Sequence, residues 1–303
     1  MTNAAVHKTK VKDPMDDRIF YIVVYILLGL LTLITLYPLI YIISASFSDP
    51  FSVLAGKVVF FPVGFSLEGY NRIFSNDRVL TGFFNSILYT VAGTTVNIVM
   101  TVLAAYPLSR KELKGGSVVM MLFTFTMIFN AGMIPNYVLM KDLHLLDTRW
   151  VMILPAAISA YNMIIARTFF STNIPRELLE AAQMDGCSDF RFLVSIVIPL
   201  SKAILAVLVM FYATVHWNSY FNAFLYLSSD ELYPLQIILR DILITAQAAA
   251  SDTSDAESAL EIQGLAESMK YSLMIVSTIP MMCIYPFAQK YFTQGVMIGS
   301  IKG

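Results

Sequence analysis

Charged side chains are what this sequence has least of. Of 303 residues only 14% are Asp, Glu, Lys or Arg, while 57% are hydrophobic. A water-soluble domain carries about a quarter charged residues to cover its surface, so that class is excluded for most of the chain. The net charge of -1 at pH 7 excludes a basic nucleic-acid binder. Cysteine is nearly absent. Cys187 and Cys283 stand far apart in unrelated contexts, which excludes a disulfide scaffold or thiolate metal site and reads as packing. Catalytic signatures are lacking as well. Gly115-Gly116-Ser117 has neither the spacing nor the lysine of a phosphate-binding loop, so the chain is not itself a nucleotide hydrolase of that type. No His-Glu-x-x-His pair or Gly-x-Ser-x-Gly elbow occurs, and His7, His144 and His216 are scattered. The expectation is a non-enzyme with no metal site and no cofactor of its own.

What is present is a set of long apolar runs. Crossing a hydrocarbon core about 30 Å thick, at 1.5 Å per residue, takes a helix of about 20 mostly apolar residues. Windows 19–48, 79–109, 115–140, 150–166, 203–229 and 271–289 contain no Asp, Glu, Lys or Arg. They predict an all-α polytopic membrane protein with six transmembrane helices near 20–46, 82–106, 117–138, 151–171, 203–227 and 271–291. An even number of spans places both termini on one side. Lys8, Lys10, Lys12 and Arg18 in the N-terminal tail, with Arg110, Lys111 and Lys114 in a short loop, mark that side as cytoplasmic. On this assignment the inner segments and span ends hold 13 of the 20 Lys and Arg and 8 of the 21 acids, and the outer ones hold 7 and 13. Arg167 reads as a snorkelling anchor at the end of the fourth span. The first apolar run is too long for a signal-peptide core and reads as a signal anchor. The expected organisation is a cytoplasmic tail (1–19), a transmembrane unit (20–291) and a second cytoplasmic tail (292–303).

Three connections exceed what joining helices requires. The outer segment 49–81 carries Phe60, Phe61, Phe65 and Tyr70 and is expected to fold over the outer face. The outer segment 228–270 contains a run rich in Ala, Ser and acids (246–258), which reads either as a solvated helix and loop or as a docking surface for an extracellular partner. The inner segment 171–202 has an amphipathic pattern. Pro175 suits a helix start, and Glu177 and Glu180 suit the positive end of its dipole. Leu178, Leu179, Ala182 and Met184 supply an apolar face; Gly186 permits a sharp turn into a second short helix with Phe190, Phe192, Leu193 and Ile196; Pro199 closes the segment.

Within that segment, Glu180-Ala181-Ala182-Gln183-Met184-Asp185-Gly186, followed by Ile196 and Ile198-Pro199, resembles the EAA loop of ATP-binding-cassette importer permeases. The family form ends in Leu-Pro, and Ile198 replaces the leucine here. Ile174-Pro175 with Glu177, His216-Trp217-Asn218, Pro234-Leu235 and the closing Gly299-Ser300-Ile301-Lys302-Gly303 are similar to carbohydrate-uptake permeases of the maltose-permease type. The resemblance implies a permease subunit in a bacterial or archaeal cytoplasmic membrane, forming half of a pathway for a carbohydrate of the oligosaccharide class. Its implied partners are a second permease, giving a heterodimer, two cytoplasmic ATPases that hold ATP and Mg, and an extracellular solute-binding protein. The segment 171–202 would then be a cytoplasmic coupling loop: Glu180, Ala181, Ala182, Asp185, Gly186, Ile196 and Pro199 would couple to the ATPase, with the two alanines letting the helix sit deep in a cleft. Gly299, Lys302 and Gly303 would contact the ATPase from the tail.

Polar residues inside the spans are the remaining candidates, because lipid makes them costly unless they face protein or water. Asn85, Asn97, Asn130, Asn162, His216, Asn218 and Asn222 read either as hydrogen-bonding glue between helices or as substrate contacts. His216, Trp217, Asn218, Tyr220 and Asn222 combine amides with aromatic faces, suited to sugar hydroxyls and C–H faces. Pro38, Pro135, Pro155 and Pro280 permit bends in their helices. The competing classes are a polytopic membrane enzyme, a permease for a non-sugar solute, and a channel or ion-coupled transporter. The last would need buried charges in the spans, and the windows contain none.

Overall fold

The computed structural model describes residues 15–252 and 256–300. It is all-helical, with no strand among the described residues. In chain order the α-helices are α1 (Met15–Ser46), α2 (Pro50–Leu54), α3 (Glu68–Phe74), α4 (Asp77–Ser109), α5 (Gly116–Ile128), α6 (Met133–Asp142), α7 (Ala160–Asn173), α8 (Arg176–Met184), α9 (Asp189–Phe192), α10 (Ile198–Leu200), α11 (Lys202–Trp217), α12 (Tyr220–Tyr226), α13 (Leu235–Asp252) and α14 (Ala256–Ser300).

Among the described residues, only α1 and α4 are single helices long and apolar enough to cross a membrane. Two further pairs meet the same test as bent units: α5 with α6, at 115°, and the stretch Asp189–Leu200 with α11, at 83°. The first bend falls at Asn130-Ala131-Gly132, where Gly132 takes φ 85° and its N–H donates to Asn130 Oδ1 at 2.9 Å. The second falls at Ser201, just after Pro199. Window 271–289 lies within α14.

The expected span over 151–171 is not one helix. A 3-10 turn covers Arg149–Met152, the backbone is irregular around Pro155, and α7 starts only at Ala160. Proline removes a donor and disfavours helix for the residue before it, which accounts for the break. Ser159 then starts α7 as a cap, its hydroxyl accepting from Asn162 N–H. At 14 residues α7 is about 21 Å long, short of the hydrocarbon thickness.

Irregular backbone survives in a membrane protein only where protein atoms satisfy it. Here α4 and α11 do so. Asn97 of α4 donates to Ala156 O, and Tyr212 OH of α11 accepts from Ser159 N–H at 3.3 Å while sharing a 2.7 Å hydrogen bond with Thr101. Asn97 and Thr101 are fully buried. Because lipid offers no hydrophobic drive between helices, such bonds and close backbone approach carry the packing. Gly93 supplies the approach: a Cβ there would run into the His216 ring.

The largest core cluster joins α4, α7, α8, α9 and α11 through Tyr106, Met163, Phe170, Leu179, Phe192 and Leu208. At its opposite end, α4 binds the stretch 231–235. Asn85 Nδ2 donates to Glu231 O and Tyr233 O, Tyr89 OH to Leu232 O, and Ser86 Oγ accepts from Leu235 N–H. Segment 49–81 forms α2 and α3, which lie against α14, and Phe60, Phe61 and Phe65 remain exposed.

Candidate coupling site and polar seam

The segment between α7 and α11 builds an elbow. Pro175 precedes the first turn of α8 with extended backbone (φ -60°, ψ 142°), as its ring prefers. Helix α8 ends on a Schellman turn. Gly186 takes φ 73°, its N–H donates to Gln183 O at 3.0 Å, and Cys187 N–H donates to Ala182 O at 2.9 Å. Open space surrounds the position of a Gly186 Cβ, so the glycine is needed for its backbone angle and not for room. Ser188 then caps α9, accepting from Arg191 N–H.

Leu179 and Ala182, three residues apart, face inward and pack against Phe192, which is fully buried. Ala182 is thus turned toward the chain's own core. Ala181 does face outward, together with Glu180, Asp185 and Gly186; Met184 is 89% exposed. Ile196 is half-buried inside a short π-helical turn, Leu193–Val197, and Pro199 is exposed beside the Ser201 bend. The elbow therefore presents acidic side chains together with exposed apolar ones, Met184 and Phe190 foremost, and its rear is welded to the core.

Charge ties this elbow to the end of α4. Arg176 pairs with Glu180 at 3.0 Å and with Glu112 at 3.1 Å, and Arg110 pairs with Asp189 at 3.1 Å. Arg167 is not a free snorkelling side chain: its Nε donates to Leu108 O at 2.9 Å, one of the carbonyls that the end of α4 leaves open. Sequence patterning finds the Arg176–Glu180 pair through its four-residue spacing, but Arg110, Glu112 and Asp189 lie too far apart in the chain to be paired that way.

The five candidate pathway residues divide. His216 is buried and its Nε2 meets Asn97 Oδ1 at 2.6 Å. Because the Asn97 amide nitrogen is used on Ala156, the oxygen faces His216 and holds the Nε2–H tautomer. Trp217 is buried and donates to Ser277 O at 2.9 Å. His216 Nε2 and the Trp217 indole N–H are thus spent within the chain. Asn218 caps α11, donating to Thr214 O, and is exposed; Asn222 is exposed and Tyr220 half-buried. Tyr220 stacks with Phe224, and the Arg240 guanidinium lies over both rings at 5.6 and 5.0 Å. Of the tail residues, Gly299 lies in the last turn of α14, and Lys302 and Gly303 are outside the described residues.

Beyond the end of α6, Asp147, at φ 54°, accepts from Ser228 N–H and Ser229 N–H at 2.8 Å and from Ser229 Oγ at 2.5 Å. These bonds, that from the Ser229 hydroxyl foremost, hold its carboxyl below the usual aspartate range. No group of His, Cys, Asp and Glu that could hold a metal occurs among the described residues.

The chain is thus an all-helical bundle with two helices, and two bent pairs, apolar enough to cross a membrane, and an exposed elbow between a short helix and a bent unit. No known family profile matches the chain. Individual relatives are clear. It is 40% identical over 289 residues, covering 95% of this chain and 100% of the relative, to the polygalacturonan/rhamnogalacturonan transport system permease protein YtcP of Bacillus subtilis (strain 168). It is 37% identical over 297 residues to protein LplC of the same organism, covering 98% of each. A solved structure, of a bacterial ABC transporter involved in import of the acidic polysaccharide alginate, matches with TM-score 0.84 and 36% identity, covering 93% of this chain and 100% of that one. The chain belongs to the sugar permeases of ATP-binding-cassette importers, and its location is the membrane.

Proposed function

We propose that the chain forms half of the translocation pathway of an ATP-driven importer, alternating between inward- and outward-facing states. Six crossings are assigned: α1, α4, the bent α5–α6 unit, the interrupted 151–171 segment, α11 with its continuation to 227, and the 271–291 part of α14. Both termini lie in the cytoplasm, with 1–19 and 292–303 as tails, and 228–270 is extracellular. The remaining parts are a related permease, two ATPases that bind ATP and Mg, and a solute-binding protein.

The carrying observation is the elbow. Glu180 and Ala181 on α8, and Asp185 and Gly186 in the turn that ends it, are exposed, while Leu179, Ala182 and Phe192 lock its rear to α4, α7 and α11. A short helix so anchored passes a push from a partner into the bundle instead of absorbing it. Glu180 offers charge-assisted hydrogen bonds at the partner's rim, and Ile196 and Pro199 carry the displacement through the Ser201 bend into α11. Gly299, Lys302 and Gly303 add a tail contact. ATP binding can shift the bundle only if the ATPases hold the two states with different affinity.

For the cargo we propose an oligosaccharide bearing carboxylates. Two relatives at 36–40% identity are named for polygalacturonan/rhamnogalacturonan and for alginate, which are uronate polymers. Asn218, Tyr220 and Asn222 remain accessible for sugar hydroxyls and ring faces, framed by His216 and Trp217.

The test is reconstitution of the complex in liposomes. ATP-dependent uptake of a uronate oligosaccharide from the loaded binding protein is expected, with weaker uptake of a neutral oligosaccharide of equal length, and Glu180→Lys should abolish uptake while assembly persists. Uptake by the isolated chain, or uptake indifferent to ATP, overturns the reading.

A further inference from the structure

Arg110 sits where α4 ends. Its backbone caps that helix with extended geometry (φ -85°, ψ 131°), and its side chain is only 19% exposed. The guanidinium lies over the Tyr106 ring at 4.9 Å and the Phe192 ring at 5.5 Å, and Nη2 donates to Asp189 Oδ1 at 3.1 Å. Tyr106 belongs to α4, whereas Phe192 and Asp189 belong to α9, beyond the Gly186 turn. One side chain thus spans the long helix and the elbow. A planar cation is required for this, because only guanidinium stacks between two rings and still offers an in-plane N–H to a carboxylate.

Beside the apolar packing of the core cluster, few charged contacts make this connection. Two clefts, of about 210 and 420 Å³, open between the α4 end and α8, and Tyr106, Arg110, Glu112, Arg176 and Leu179 line both. Across them run the Arg110–Asp189 and Arg176–Glu112 pairs. The second is exposed at both ends, 62% and 51%, and such pairs hold little. Arg110, wedged between rings, is the stronger tie.

We infer that Arg110, acting with Asp189, is a positioning residue for coupling, carrying displacement of the elbow sideways into α4 as well as along the chain into α11. The inference rests on the coupling role proposed for α8. Its consequence is mechanical. Helix α4 also holds the broken segment through Asn97 and the outer segment through Asn85 and Tyr89, so a pull at its inner end reaches both faces of the bundle.

The experiment measures, in the reconstituted full complex, sugar taken up per ATP hydrolysed. Arg110→Gln and Asp189→Asn are each expected to lower that ratio roughly two- to fivefold, the range that a partly exposed ion pair supplies. The double variant should be no worse than Arg110→Gln alone, because that change already removes the Asp189 contact. Arg110→Lys should recover part of the ratio. A merely structural role would instead reduce the yield of complex and both rates together, leaving the ratio unchanged. An unchanged ratio in Asp189→Asn, whose carboxylate is 73% exposed and dispensable for packing, or losses that add in the double variant, overturns the latch alone. A wild-type complex without ATP-coupled uptake overturns both the latch and the coupling role.

Discussion

Asn97 shows how a polar residue in an apolar helix is to be understood here. It is fully buried, uses its amide nitrogen on Ala156 O and its oxygen on His216, and so satisfies the backbone that Pro155 interrupts. Asn97→Leu keeps the volume but leaves the Ala156 carbonyl and the His216 ring unpartnered, a cost of about 1–3 kcal/mol. A lowered thermal unfolding midpoint of the complex in detergent is expected, and an unchanged midpoint would return Asn97 to the substrate pathway. Asp147 makes a second prediction, on pH. Its folded carboxyl titrates below the ordinary value, so the stabilisation it supplies is complete above that ordinary value and disappears as pH falls through the lower, folded one. Unfolding midpoints measured from neutral to about pH 3 should therefore fall on the acid side, and Asp147→Asn should lower the neutral value and flatten this acid loss.

Among the elements, the elbow of α8 and α9 was the most legible, because its signals are local. Pro175 and Gly186 sit at the start and just past the end of α8, where a missing N–H costs no helix bond and a positive φ is needed, and Leu179 and Ala182 share a face by spacing. Gly186→Ala is predicted to cost about 1 kcal/mol from forced left-handed backbone alone. Because the site has room for a methyl group, transport per ATP should fall through misdirection of α9 while the chain still inserts; full activity would show that the angle is not needed. The break in window 150–166 was not legible. Its composition is uniformly apolar, and whether such a stretch stays helical depends on Asn97 and Tyr212, which stand more than 50 residues away in the chain. The same distance hid Arg167, whose partner is a backbone carbonyl of α4 and not a headgroup.

For the molecule as a whole, the apolar runs announced a membrane protein because hydrocarbon admits nothing else, but they could not say which surfaces meet lipid. α1 illustrates this: it is buried only at Ser44, Ala45 and Ser46, where it meets the rest of the chain, and is exposed along most of its length. Sidedness is a separate matter, resting on the distribution of Lys and Arg and on the coupling role of α8. Both require α8 to face the cytoplasm and the segment between α2 and α3 to face outside. Two exposed positions separate the possibilities: Met184 on the elbow and Lys57 just after α2. In a background with Cys187→Ser and Cys283→Ser, the variant Met184→Cys should react with a membrane-impermeant maleimide only after the inner face is opened. Lys57→Cys should react in intact cells. Since a shift of one span in the middle of the chain leaves Lys57 outside but moves Met184 across the bilayer, labelling of Met184→Cys from outside would refute the inner position of the elbow, and with it the ATPase contact, whatever the remaining spans do.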